Sequence, residues 1–209
     1  MRFNPPAAAD TPENLSGGVL LVLMPGFGPE DGGRDSGALM RPRGLLTSAQ
    51  IDRGTAVPRV LKWLAASGLD LRSAAPFLQL TVWPEAFEGR PHGPQCVKAL
   101  VRQSEAFLQT VAERRPRLMV FVSCYLHDAA CEPELDEALS AALGRALEPP
   151  RRLCAARLRT QIQRRERCLM VALPVPTANA TSAFEAALTA ALSRELRPLA
   201  GLFSRPMLS

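Results

Sequence analysis

Glu30 and Asp31 lie in the loop Pro25-Gly26-Phe27-Gly28-Pro29-Glu30-Asp31-Gly32-Gly33, directly behind the apolar run Gly18 to Met24. Two adjacent carboxylates at the mouth of a buried strand are placed to orient a water molecule and take its proton. Sites on open α/β sheets sit where strands end in this way, although a turn with solvated acids accounts for the same residues. His92 and His127 are the two imidazoles. A catalytic imidazole needs a neighbour that sets its tautomer, and none is visible beside either one. His92 falls in a Pro/Gly loop that can face the same pocket; surface and capping roles are the plainer account of both. Ser123-Cys124-Tyr125 closes a predicted strand but lacks the Gly-x-Ser-x-Gly elbow of a serine nucleophile, and Cys124 reads as a buried thiol. The five cysteines form an odd set with no C-x-x-C pair, which argues against a disulfide framework or a zinc ribbon. No metal and no cofactor is expected.

The positive charge is local. Arg151, Arg152, Arg157, Arg159, Arg164, Arg165 and Arg167 fall in one short segment with a single acid, Glu166, and so outweigh the net charge of +5 carried by the whole chain. Such a patch reads as a docking surface for a nucleic acid or an acidic protein partner, or as an edge strand that arginine protects from pairing. Trp63, Trp83 and Tyr125 lie outside it, so no base-stacking platform is indicated.

The elements that would position these residues alternate between strand and helix. Gly18 to Met24, Phe77 to Val82, Arg117 to Ser123 and Cys168 to Leu173 read as strands, the third a continuous apolar run of the kind parallel sheets bury on both faces. Between them, a helix is predicted from Val57 to Gly68, one long amphipathic helix from Gln95 to Arg114, another from Pro133 to Leu147, and a last from Thr181 to Leu196. Residues Leu153 to Gln163 alternate, with Arg157, Arg159, Gln161 and Gln163 on one face, and predict a strand with one wet side. The expected fold is a three-layer α/β/α sandwich with a mainly parallel central sheet. Residues 1–16 read as a flexible segment, 17–200 as one domain and 201–209 as a tail. No leader or membrane-spanning stretch is apparent, so a cytoplasmic protein is expected.

The order of these strand ends and loops resembles the uracil-DNA glycosylase superfamily over roughly Val19 to Thr177. Pro25-Gly26, with Glu30-Asp31 behind, resembles its water-activating loop. Gln79 in Phe77-Leu78-Gln79-Leu80-Thr81-Val82-Trp83-Pro84 corresponds to the base-reading Asn, Arg115-Pro116-Arg117 to the approach to a hydrophobic strand, and Val175-Pro176-Thr177 to the closing His-Pro-Ser. The resemblance implies a base pocket of Pro25, Gly26, Gln79, Pro174, Val175, Thr177 and His92. It also departs where the chemistry is done. Leu23 or Met24 stands where a polar residue orients water, and Val175 replaces the histidine that stabilises the leaving base. Ala178-Asn179-Ala180 replaces the apolar wedge that helps extrude the nucleotide, and the cysteine spacing lacks that of the iron–sulfur variant. The implied function is binding of nucleic acid or a protein partner without ordinary uracil excision. A glycosylase of altered specificity using Glu30 or Asp31, and a structural subunit of a complex, are the alternatives.

Overall fold

Val19–Leu23 forms β1, five aliphatic residues that are all buried. A strand with no polar face must be covered on both sides, and the rest of the fold supplies that cover. The structure, a computed structural model, describes residues 17–24, 44–45, 56–70, 78–83, 93–154, 158–175 and 181–203. Gly44–Leu45 is β2, Ala56–Ala66 α1, Leu78–Val82 β3, Pro94–Arg102 α2, Glu105–Arg114 α3 and Leu118–Phe121 β4. Cys124–Ala130 follows as α4, Pro133–Leu143 as α5, Arg151–Arg152 as β5, Gln161–Arg164 as β6, Leu169–Ala172 as β7 and Ser182–Phe203 as α6.

The strands join in the order β2-β3-β1-β4-β7-β6-β5. Its centre, β3-β1-β4-β7, is parallel and in step: Val19 is level with Leu78 and Leu118, and Leu118 with Leu169. The flanks are antiparallel, β2 on β3 and β5-β6 on β7. The protein is therefore α/β with a mixed open sheet, more mixed than the expected mainly parallel one. Side chains alternate between two cores. Val19, Leu21 and Leu23 pack with Leu61 and Leu64 of α1 and Leu188 and Leu192 of α6. Leu20 and Val22 pack on the other face with Leu100, Phe107, Leu126 and Leu139 from α2 to α5. Among the described residues no helix is long and apolar enough to cross a membrane.

Three predicted elements change. The single helix from Gln95 to Arg114 is two, because the buried Trp83 indole donates to the carbonyls of both Leu100 and Gln103, at 3.1 and 3.0 Å. Those carbonyls are thereby satisfied outside the helix ladder, and the chain restarts at Glu105. The helix from Pro133 ends at Leu143, where Gly144 has φ 78° and a Cβ would stand 2.6 Å from that of Glu166. Leu147, expected on its inner stripe, is 64% exposed. The wet strand Leu153 to Gln163 is not continuous. β5 and β6 pair with each other, Arg151 level with Ile162 and Arg152 with Gln161, so the chain reverses between them. α4 was not anticipated at all.

Candidate functional site at the carboxyl edge of the sheet

Because the four central strands are parallel and in step, their carboxyl ends share one edge: Met24, Trp83, Ser123 and Pro174 follow β1, β3, β4 and β7. The chain leaves β1 toward β3 and β4 toward β7, so the strand order reverses between β1 and β4, the position at which open sheets place ligands. Ser123 starts α4 there, its hydroxyl accepting from the Tyr125 amide at 3.2 Å. Beside it, Val97 and Val101 of α2, Tyr125, Asp128 and Cys131 of the α4 region, and Arg159 line an open groove of about 880 Å³. Lys98 and Arg102 stand on its wall with Glu132 and Glu134.

Asp128, Arg159 and the groups behind them are engaged with one another. Arg159 donates to the Asp128 carboxylate at 2.8 Å. Gln161, with its amide turned so that nitrogen faces Asp128, completes that set at 3.0 Å from Asp128 and 2.8 Å from Arg159. Cys124 donates to the Arg159 carbonyl at 3.1 Å. His127 is fully buried edge-on to Phe121, with Nδ1 3.7 Å from the Cys131 sulfur and Nε2 without a partner. Cys131 in turn donates to the Gln163 side-chain oxygen Oε1 at 3.4 Å.

A cysteine beside a histidine invites a nucleophile reading, but electrostatics run against it. Burial pushes the Cys131 thiol up to about 12 and the Cys124 thiol up to about 11. Burial, with Arg159 and Arg165 nearby, lowers His127 to about 4. A reactive pair needs a thiolate and an imidazolium, and this environment disfavours both charges. The residues act as a neutral polar seam between α4 and β6.

The expected site residues distribute unevenly. Pro25, Gly26, Glu30, Asp31, His92, Thr177 and Arg157 lie outside the described residues. Pro174 and Val175 are half-buried at the carboxyl edge, directly after β7. Gln79 is not at that edge: its backbone is level with Leu20, in the amino-terminal half of the strands, and the strand end is occupied by Trp83. The structure therefore brings Pro174 and Val175 level with the end of β1 but leaves Gln79 several residues away.

The arginine run is also unlike a single wet face. Arg151 donates to Glu195 at 2.8 Å, and Arg164 bonds the other oxygen of the same carboxylate. Burial works against ionisation of Glu195, yet the hydrogen bonds from Arg151 and Arg164 hold its carboxyl below its ordinary value. Arg165 has only 1% of its side chain exposed and reaches Asp136 at 2.7 Å, Ser140 at 3.2 Å and the Gly144 carbonyl at 3.3 Å. Arg159 belongs to Asp128. Arg152 and Arg167 remain exposed, the latter donating to the Ala141 carbonyl at 2.9 Å.

No family model, curated protein or solved structure matches this chain. The groove must be interpreted from its own chemistry. Sequence reasoning missed Glu195, whose position on the inner side of α6 beside Leu192 and Leu196 marks a buried acid that requires cations. It also did not single out Asp136 and Asp128, although each holds one arginine of the run.

Proposed function

We propose that the chain is a diverged relative of the uracil-DNA glycosylases, built as a three-layer α/β/α sandwich, that binds nucleic acid and does not excise uracil. The observation that carries this reading is the carboxyl edge. Pro174-Val175 follows β7 in the place where the resemblance calls for a histidine, and valine offers neither a proton nor a charge to a departing base. The thiols and His127 beside the neighbouring groove give no substitute, because they are held neutral. Positive charge remaining at the surface supports a polyanionic partner.

The test is an excision assay with purified protein on uracil-containing single and double strands, run beside a binding titration with the same oligonucleotides. Binding without base release is expected. Uracil release at the rate of an active glycosylase overturns the reading, and loss of that release in Asp31→Asn assigns the base. Release of a different base replaces it with the altered-specificity glycosylase.

A further inference from the structure

The amino edge of the parallel strands carries a second groove, of about 630 Å³, lined by five arginines and two glutamates along with apolar residues. Much of this charge is already spent. Arg164 is paired with Glu195, Arg165 with Asp136, and Glu166 with Arg145. Arg115, Arg117 and Arg167 are exposed and make no ion pair among the described residues.

The backbone fixes these three together. Arg117 immediately precedes β4, and its carbonyl accepts from the Leu169 amide of β7 at 2.9 Å. Arg167 stands two residues before that amide, in the bend that leads into β7, its own amide donating to the Leu143 carbonyl at 2.9 Å. Arg115 closes α3 in the left-handed region, φ 42° and ψ 55°, where glycine is favoured. Three exposed arginines thus line one groove whose glutamates, Glu166 and Glu195, are paired with other arginines.

We propose that this amino-edge groove binds the phosphate backbone of double-stranded nucleic acid, without reading its sequence. The inference rests on the reading above that the partner is a nucleic acid, and it locates the contact at the edge opposite Val175. Guanidinium forks match phosphate oxygens in bidentate geometry. Aromatic anchors mark protein-binding and single-strand-binding surfaces, and this groove has none; its one large exposed hydrophobic is Leu147. Phosphate contact alone supplies affinity that depends on salt and not on sequence.

The experiment titrates two labelled DNA duplexes of unrelated sequence, across a salt series, with the parent and two triple variants. Arg115→Gly/Arg117→Gln/Arg167→Gln removes the amino-edge charges, with glycine suited to the backbone at 115. Lys62→Gln/Lys98→Gln/Arg102→Gln removes as many charges elsewhere. Circular dichroism and thermal unfolding confirm that each variant is folded. The parent is expected to bind both duplexes equally. The amino-edge variant should lose affinity, with a log–log salt slope smaller by roughly 2.7, about 0.9 for each phosphate contact. The control variant should follow the parent. If the parent binds and the amino-edge variant matches it, or if both variants weaken alike, the groove assignment is overturned while nucleic-acid binding stands. A parent that binds neither duplex overturns the underlying reading, and poly-glutamate that competes as well as duplex transfers the groove to acidic proteins.

Discussion

At the carboxyl ends of the parallel strands, Asp128, Arg159 and Gln161 satisfy one another, Cys124 bonds the Arg159 carbonyl, and His127 is buried and neutral. At the amino ends, Arg115, Arg117 and Arg167 stand exposed without an ion pair among the described residues, the two glutamates of their groove being paired with Arg145, Arg151 and Arg164. The same sheet therefore has one end whose buried polar groups close on one another, with Lys98 and Arg102 exposed beside them, and one open end where three arginines line the groove without an ion pair among the described residues. Open α/β sheets ordinarily keep their reactive groups at the carboxyl end. Fold alone does not place function, and here three exposed arginines without ion pairs among the described residues line the opposite end.

The largest expected effect tests whether the carboxyl end is as rigid as its bonding implies. Trp83 stacks on Phe107 with centroids 4.1 Å apart and holds two carbonyls where α2 gives way to α3. Trp83→Ala should cost about 4 kcal/mol in urea unfolding, from the cavity and the Gln103 carbonyl left without the indole donor. Trp83→Phe keeps a ring and should lose about 1–2 kcal/mol. A loss below about 1 kcal/mol in the alanine variant would show that this edge is loosely held.

Next comes the pH dependence of the closed end. The imidazole of His127 ordinarily titrates near 6.5 and is lowered to about 4 by burial, Arg159 and Arg165. Between those values the unfolded chain binds the proton and the folded one does not, so this group's stability is complete above about pH 6.5 and is lost as pH falls toward 4. The loss is on the order of 3 kcal/mol over that window. His127→Phe should flatten that share of the pH dependence in unfolding curves taken from pH 4 to 7. A variant as steep as the parent would mean that His127 is already charged in the fold.

Arg165 sharpens the comparison, because it lines the open end but faces inward. Asp136→Ala leaves a buried guanidinium with only Ser140 and the Gly144 carbonyl. Breaking a fully buried pair costs about 3–5 kcal/mol, and because the Asp136 side chain is 54% exposed the expected loss is nearer 2 kcal/mol. Arg165→Met fills the same narrow slot and should lose less, while leaving duplex affinity as in the parent. A fall in affinity would show that Arg165 reaches the ligand after all.

Much of the sheet was legible because burial on both faces forces an uninterrupted apolar run, and β1, β4 and β7 all carry one, while β3 alternates with Gln79 and Thr81. Trp83 was not legible as a helix breaker, since its effect on α2 and α3 operates across 17 and 20 residues of sequence. The alternation from Leu153 to Gln163 misled for a different reason. Antiparallel pairing of β5 with β6 reverses the chain inside that segment, and a two-residue rhythm survives a reversal without recording it. The arginine cluster was visible as charge, but its acids, Glu195, Asp136 and Asp128, come from helices far along the chain or before it. Composition counts cations; only the fold decides which remain unspent.

The smallest predicted effect separates stability from binding at the open end. Arg115 is the only non-glycine residue with positive φ among the described residues, and its amide already closes α3 by donating to the Val111 carbonyl at 2.8 Å. A Cβ in this conformation is held against the backbone, so Arg115→Gly should relieve strain and stabilise the fold by up to about 1 kcal/mol. The gain is partly offset by the greater freedom of glycine in the unfolded chain. The same change removes one exposed guanidinium from the groove and should shrink the salt slope for duplex binding by roughly 0.9. Thermal unfolding and a salt-dependent titration on this one variant then move in opposite directions, higher stability with weaker binding. If instead affinity is unchanged while stability rises, Arg115 contributes charge without contact, and the open end is reduced to Arg117 and Arg167.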